Sequence, residues 1–413
     1  MDLIVRNVRM RNGAEPFYDV GVTGNTITRI EPRLSEQGSI EVDGEGGLVI
    51  PSFVDSHSHI DKSMMIYQSP PAISGTLAES IARSYEAKRE SSVADVVNRG
   101  EEALHSAVAN GTGAIRVHCD LDFSWGTTGV QGLMELKERF EGLIDIQVLV
   151  LPVENPMDDE LKDLVRAGMD LGADAIGGSP HLEYTQEDTM RYVDFVFEIA
   201  KEYDVDVDLH VDQNADPVSY TRSAEYIVVK TLREDYQGRV TINHFGALSS
   251  YSPSHAARLI GLMKKAEVNF VTCPMEELII TGMGPSRIKE LLAGGVNCAY
   301  AHNNNADMFS PYGRMDMLEA GLFAIHMGEF SRMDDAETIM DMGTINPAKI
   351  MRLDGYGLEE GRKANFNVVD APSAYEAFRR NADRCYVIRE GRVVAETRTK
   401  TTFHFDTPET AAT

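Results

Sequence analysis

Cysteine is scarce in this chain. Its 413 residues carry four, Cys119, Cys273, Cys298 and Cys385, set far apart and with no CxxC pair. That spacing points to a reducing compartment and away from a thiolate metal site. Long apolar runs are missing too: none reaches the roughly 18 residues of a membrane span, so no membrane partner is expected. The opening MDLIVRNVRM has no apolar segment behind a basic start, which argues against a secretory signal. Positive charge is in short supply: 39 Lys and Arg face 65 Asp and Glu, for a formal net charge of −26. A phosphate backbone would be repelled, so nucleic acid is excluded as a partner. The expectation is a cytoplasmic globular protein, with a polar tail after Phe405 that frays.

The apolar pattern gives the architecture. LIVRNVRM and FYDVGVTGNTITRIEP alternate like half-buried strands around a Gly-Asn turn, and CYVIREGRVVAE repeats the pattern near the other end around Glu390-Gly391. Strand-rich ends flanking a long middle predict one small β-sandwich domain built from both termini, residues 1–50 and 355–413. The middle, 51–354, alternates apolar runs with helix-like stretches. The runs are LVIPSFVDSH, AIRVHCDL, IDIQVLVLPV, ADAIGG, VDVDLHV, RVTINHF, VNFVTCP and VNCAYAH. Eight runs apolar enough to be buried on both faces, separated by helices, predict a (β/α)8 barrel of the TIM type.

Histidines gather at the ends of these runs. His57 and His59 end the first, His118 the second, His210 the fifth, His244 the sixth and His302 the eighth. In such a barrel the carboxyl ends of the strands form the active face. Residues i and i+2 of a strand point to one side, so the H-x-H pair can offer two imidazoles to one ion. A pair of mutually hydrogen-bonded histidines is the plainer alternative for H-x-H alone. His210 and His244 at later strand ends favour the metal.

The stretches PSFVDSHSHIDKS, SGTLAESI, IRVHCDLD, GADAIGGSPHLEYT, DLHVDQ, RVTINHFGALSSYS and AHNNNADMFSPYG, with the closing INPAKIMRLDGYGLEEGRKANFNVVDAP, resemble the amidohydrolase superfamily. Within it they are similar to the cytosine deaminase-like group and to the N-isopropylammelide amidohydrolases. The resemblance implies one divalent metal ion, zinc or iron, held by His57, His59, His210 and the position of Asn303, with His244 beside it. It also implies water activation and release of ammonia or an amine from a small heterocyclic substrate, pyrimidine- or triazine-like. Relatives of this kind commonly assemble into homo-oligomers. The zinc deaminases that pair H-x-E with P-C-x-x-C are excluded, because no P-C-x-x-C motif is present.

The family's acids are missing, however. The aspartate that completes the site after the eighth strand is Asn303 here, the acid after it is Asn304, and the proton-shuttling glutamate of H-x-D-E is Gln213. The family's substrate-binding glutamine is Val153. An amide keeps a carboxylate's shape but cannot hold a proton near neutral pH. Replacement acids are sought in Asp307, Asp212, Asp216 and Asp61, although a solvated loop carboxylate is the plainer reading of each. Lys62 matches a lysine of the N-isopropylammelide group and either enters the pocket or faces solvent. His118 is expected to line the barrel mouth, hydrogen-bonded and beneath the metal; His181 to orient a loop or a substrate edge; His302 to pack. Trp125 caps the pocket or lies on a surface loop. Three readings therefore stay open: a metal-dependent C–N hydrolase with a relocated base, a silent relative that only binds, and non-hydrolytic chemistry on the same fold.

Overall fold

The computed structural model describes residues 1–154, 158–214, 222–280, 284–402 and 404; Asp216 and the tail after Phe405 lie outside them. The chain opens with β1 (Leu3–Met10), β2 (Tyr18–Thr23), β3 (Thr26–Glu31), β4 (Ile40–Asp43) and β5 (Leu48–Pro51). Eight parallel strands follow: β6 (Phe53–Ser58), β7 (Thr112–Leu121), β8 (Asp145–Pro152), β9 (Ala175–Gly178), β10 (Asp206–Val211), β11 (Val240–His244), β12 (Asn269–Thr272) and β13 (Cys298–Tyr300). Each falls in one of the eight apolar runs, and seven of the eight are buried along their whole length. They neighbour one another in sequence order. Burial on both faces is what a parallel sheet covered by helices demands.

The barrel closes outside its regular strands. A parallel bridge joins Ser58 to Asn303. The Asn303 N–H donates to the His57 carbonyl (3.1 Å), and the His59 N–H donates to the Asn303 carbonyl (3.3 Å). Next to it, the His302 N–H donates to the buried Asp55 carboxylate at 3.1 Å. The seam therefore runs through the H-x-H segment and the AHNNN segment.

The chain ends with β14 (Phe366–Val369), β15 (Arg384–Arg389) and β16 (Arg392–Glu396), which join the first five strands in a separate sheet. Strand β1 belongs to both halves of it: Leu3–Arg6 pair with β4, whereas Arg9 and Met10 pair with β5. The halves enclose one core that includes Val5, Val20, Ile27, Val49, Phe366 and Ile388. The first apolar run, LVIPSFVDSH, divides between the two sheets. Its LVIP part is β5, antiparallel to β14, and the barrel begins at Phe53. Pro51, with no N–H to continue a ladder, stands where the chain leaves one sheet for the other. Among the described residues no helix is long and apolar enough to cross a membrane.

Gly111 joins the two parts. It follows the helix Val93–Ala109 with φ +83°, and its carbonyl accepts from Phe53 N (2.9 Å) of the barrel and Asn367 Nδ2 (2.8 Å) of the terminal sheet. A Cβ there would meet Asn367 Nδ2 at 2.6 Å. Gly111→Ala combines a left-handed backbone with overpacking, and we expect a loss of about 1–3 kcal/mol in urea unfolding.

Candidate metal centre and pocket

Five histidines meet inside the carboxyl end of the barrel. The His57 ring centroid lies 3.8 Å from that of His118, 4.6 Å from His210, 5.3 Å from His244 and 5.4 Å from His59. Ligand atoms of His57, His118 and His210 all lie within 4.8 Å of one another, as do those of His57, His244 and Cys273, and those of His59, Asp61 and Asp120. The ring nitrogens of His57 and His118, Nδ1 of His210 and Nε2 of His244 are buried without a hydrogen-bond partner. Leaving so many polar atoms unsatisfied is costly, and one shared cation relieves several of them together.

Their protonation suits that role. Burial, with smaller contributions from neighbouring positive groups, holds His57, His59, His118 and His210 well below the usual histidine range. They are therefore neutral, the form that ligates metal. His59 Nδ1 donates to the His118 carbonyl at 2.7 Å, which leaves Nε2 as its lone-pair nitrogen. His244 differs. Burial pulls its pKa down, but the hydrogen bond to Glu277 and the charges of Glu276 and Glu277 outweigh it and the net shift is upward. Glu277, which also accepts from Thr272 Oγ1 (2.6 Å) and Cys273 N (2.7 Å), holds His244 Nδ1 at 3.2 Å. Residues His244 and Asn303 both adopt left-handed backbone, φ +66° and +68°, a conformation disfavoured for residues with a Cβ and concentrated at functional sites.

Above the histidines opens a cavity of about 90 Å³. Leu77, Ile81, Tyr85, Leu151, Val153 and Phe309 give it apolar walls; His59, Lys62, Lys88, Asp120, His210, Gln213, Glu276 and Asn304 give it polar ones. Lys62 is 3% exposed, not solvent-facing, and it pairs with Asp120 at 2.5 Å. Lys88, reaching in from the helix Leu77–Arg89, pairs with Asp120 (3.0 Å) and Asp122 (2.5 Å). Burial disfavours both ammonium groups, yet the facing carboxylates prevail and raise both pKa values.

The other residues singled out from sequence divide clearly. Gln213, Asn304, Val153 and Lys62 reach the cavity, and His181 stands behind Gln213, its ring nitrogens on Gln213 Oε1 and the His210 carbonyl (both 3.2 Å). Asp61, Asp212 and Asp307 are buried, not solvated. Asp307 is occupied by Phe309 N, Ser310 N and Asn304 Nδ2, which folds the loop, and Asp212 by the Ser223 and Ala224 N–H groups. Trp125 is buried behind Lys88, with Nε1 on the Ser91 carbonyl, and does not line the cavity. His302 packs as expected, accepting from Met315 N at 3.0 Å. His118 departs from expectation: no hydrogen bond engages its ring, and it shares a three-histidine group with His57 and His210. Cysteine also comes closer than the missing CxxC suggested, because β12 delivers Cys273 to the cluster without a partner cysteine.

Residues 73–395 match the amidohydrolase family. The chain belongs to that family. It is 30% identical over 407 residues to N-isopropylammelide isopropyl amidohydrolase of Pseudomonas sp. (strain ADP), covering 96% of this chain and 97% of the relative. Pterin deaminase of Rhizobium rhizogenes is 27% identical over 91% of this chain and 87% of its own length. The crystal structure of 5-methylcytosine deaminase from Klebsiella pneumoniae with 5-fluorocytosine superposes with a TM-score of 0.91 at 28% identity, over 97% of this chain and 99% of that one. This amidohydrolase carries, beside Asn303, an acid that inspection for histidines passes over. Glu276 lies past the end of β12 in TCPMEE, fully buried in the cavity wall, and burial pushes its pKa up to about 7. The signal was present: a carboxylate just beyond a barrel strand.

Lys88→Met removes the ammonium that faces buried Asp122, whose other oxygen keeps its hydrogen bonds from Ser124 and Trp125 N. We expect a loss of about 3–5 kcal/mol in urea unfolding, the cost of removing one partner from a buried ion pair.

Proposed function

We propose that this amidohydrolase hydrolyses an exocyclic C–N bond of a small, planar nitrogen heterocycle with the help of one divalent ion, zinc or iron. The convergence of His57, His118 and His210 on one point, neutral and largely unpartnered, carries this reading. The relatives support the substrate class, being named for N-isopropylammelide, pterin and 5-methylcytosine. His57, His210 and one or both of His59 and His118 would hold the ion, which would lower the pKa of a water and supply a nucleophile at neutral pH.

The remaining work falls to the chain. His244, fixed through Nδ1 by Glu277, directs its unpartnered Nε2 at the cluster, placed to hydrogen-bond the attacking water. Leu151, Val153 and Phe309 press on a flat ring and exclude solvent, while Lys62, Asn304 and Gln213 meet its polar edge. Gln213 stands against His181 Nε2 with its amide in the cavity wall, placed to hydrogen-bond the polar edge of the ring. A silent relative was one reading of the lost acids at Asn303 and Gln213. Glu276 in the cavity wall speaks for retained chemistry.

Chelation followed by reloading with zinc or iron(II) is expected to abolish and then restore release of ammonia or amine from a panel of pyrimidines, pterins and triazines. Rates that persist after complete removal of the ion, or a reloaded protein that turns over no panel member, would sink the reading. His57→Ala is expected to lose the ion in elemental analysis while keeping its far-ultraviolet dichroism.

A further inference from the structure

The amide at position 303 raises the question of what replaces the missing carboxylate. Asn303 Nδ2 donates to Glu276 Oε2, and both side chains are buried. With Glu276 ionised, this is the favoured way round for the amide, because turning it would face Oδ1 against a carboxylate oxygen. Asn303 Oδ1 is left buried and without a hydrogen-bond partner. The Asn303 side chain also touches the Cys273 thiol, whose sulfur lies within 4.8 Å of His57 and His244 ligand atoms. Its backbone is fixed at the barrel seam by hydrogen bonds to His57 and His59. The amide is therefore held at both ends beside the histidine cluster, with one unused oxygen.

We infer that Asn303 and Glu276 together take the place of a single aspartate: Asn303 Oδ1 supplies the neutral oxygen ligand, and Glu276, hydrogen-bonded to Asn303 Nδ2, supplies the negative charge and fixes the amide's orientation. Glu276 is a positioning residue that acts through Asn303. A carboxylate behind a ligand orients it and increases its donor strength, and loss of such a partner commonly costs 10–100-fold in metal affinity.

The inference rests on the metal-centre reading above, and cobalt(II) separates the two. Wild type, Glu276→Gln and the double variant Glu276→Gln/Asn303→Asp are titrated with cobalt(II) against a chelator, and their visible absorption spectra are recorded. Thermal unfolding of each metal-free protein checks the fold. Glu276→Gln is expected to bind cobalt(II) about 10–100-fold more weakly with an altered spectrum. The double variant, with the charge moved onto residue 303, is expected to recover the affinity. If wild type binds and Glu276→Gln matches it in affinity and spectrum, the inference is wrong and the metal centre stands. If Glu276→Gln is weak and the double variant is no better, Glu276 does not act through Asn303, and the inference is again overturned. If wild type binds no cobalt(II), the metal-centre reading itself falls, and the inference with it.

Discussion

Two backbone hydrogen bonds at Asn303, one to the His57 carbonyl and one from the His59 N–H, hold the site together. They close the barrel between its first and eighth strands, so the H-x-H segment and the AHNNN segment cannot drift apart. Everything inside depends on that closure. The rings of His118, His210 and His244 come from three other strands, and they converge only because the ring of strands is complete. The left-handed backbone of Asn303 is a local cost that the seam on one side and the Glu276 contact on the other hold in place.

Charge is arranged in two zones around this closure. At the bottom, burial keeps four histidines neutral and available as ligands. Along one wall, Lys62 and Lys88 stay charged because Asp120 and Asp122 face them at hydrogen-bonding distance. The same desolvation acts in both zones. Its outcome differs because imidazoles can shed their proton cheaply, whereas an ammonium beside carboxylates gains more from keeping it.

Much of the fold was legible in the sequence. Buried parallel strands read as apolar runs, and all eight were located from that pattern. The division of LVIPSFVDSH between two sheets was not, since a continuous apolar run looks the same whether one sheet buries it or two. In the site, the histidines stood out because they recur at or near the ends of the apolar runs. Lys88, Asp120 and Glu276 did not: a charged residue beside a strand or on a helix is usually solvated. Val153 and Gln213, singled out through the family resemblance, line the cavity.

By itself the sequence determined the barrel, most of the terminal sheet's strands and the strand-end histidines, because hydrophobic period and strand-end placement are local properties written in consecutive residues, and its motifs carried the family. Only the tertiary structure decided which histidines share a point, that Asp307 and Asp212 serve their loops, and that Glu276 stands against Asn303. Those facts depend on distances between strands far apart in the chain and on which side chains barrel closure removes from water. No local pattern encodes either.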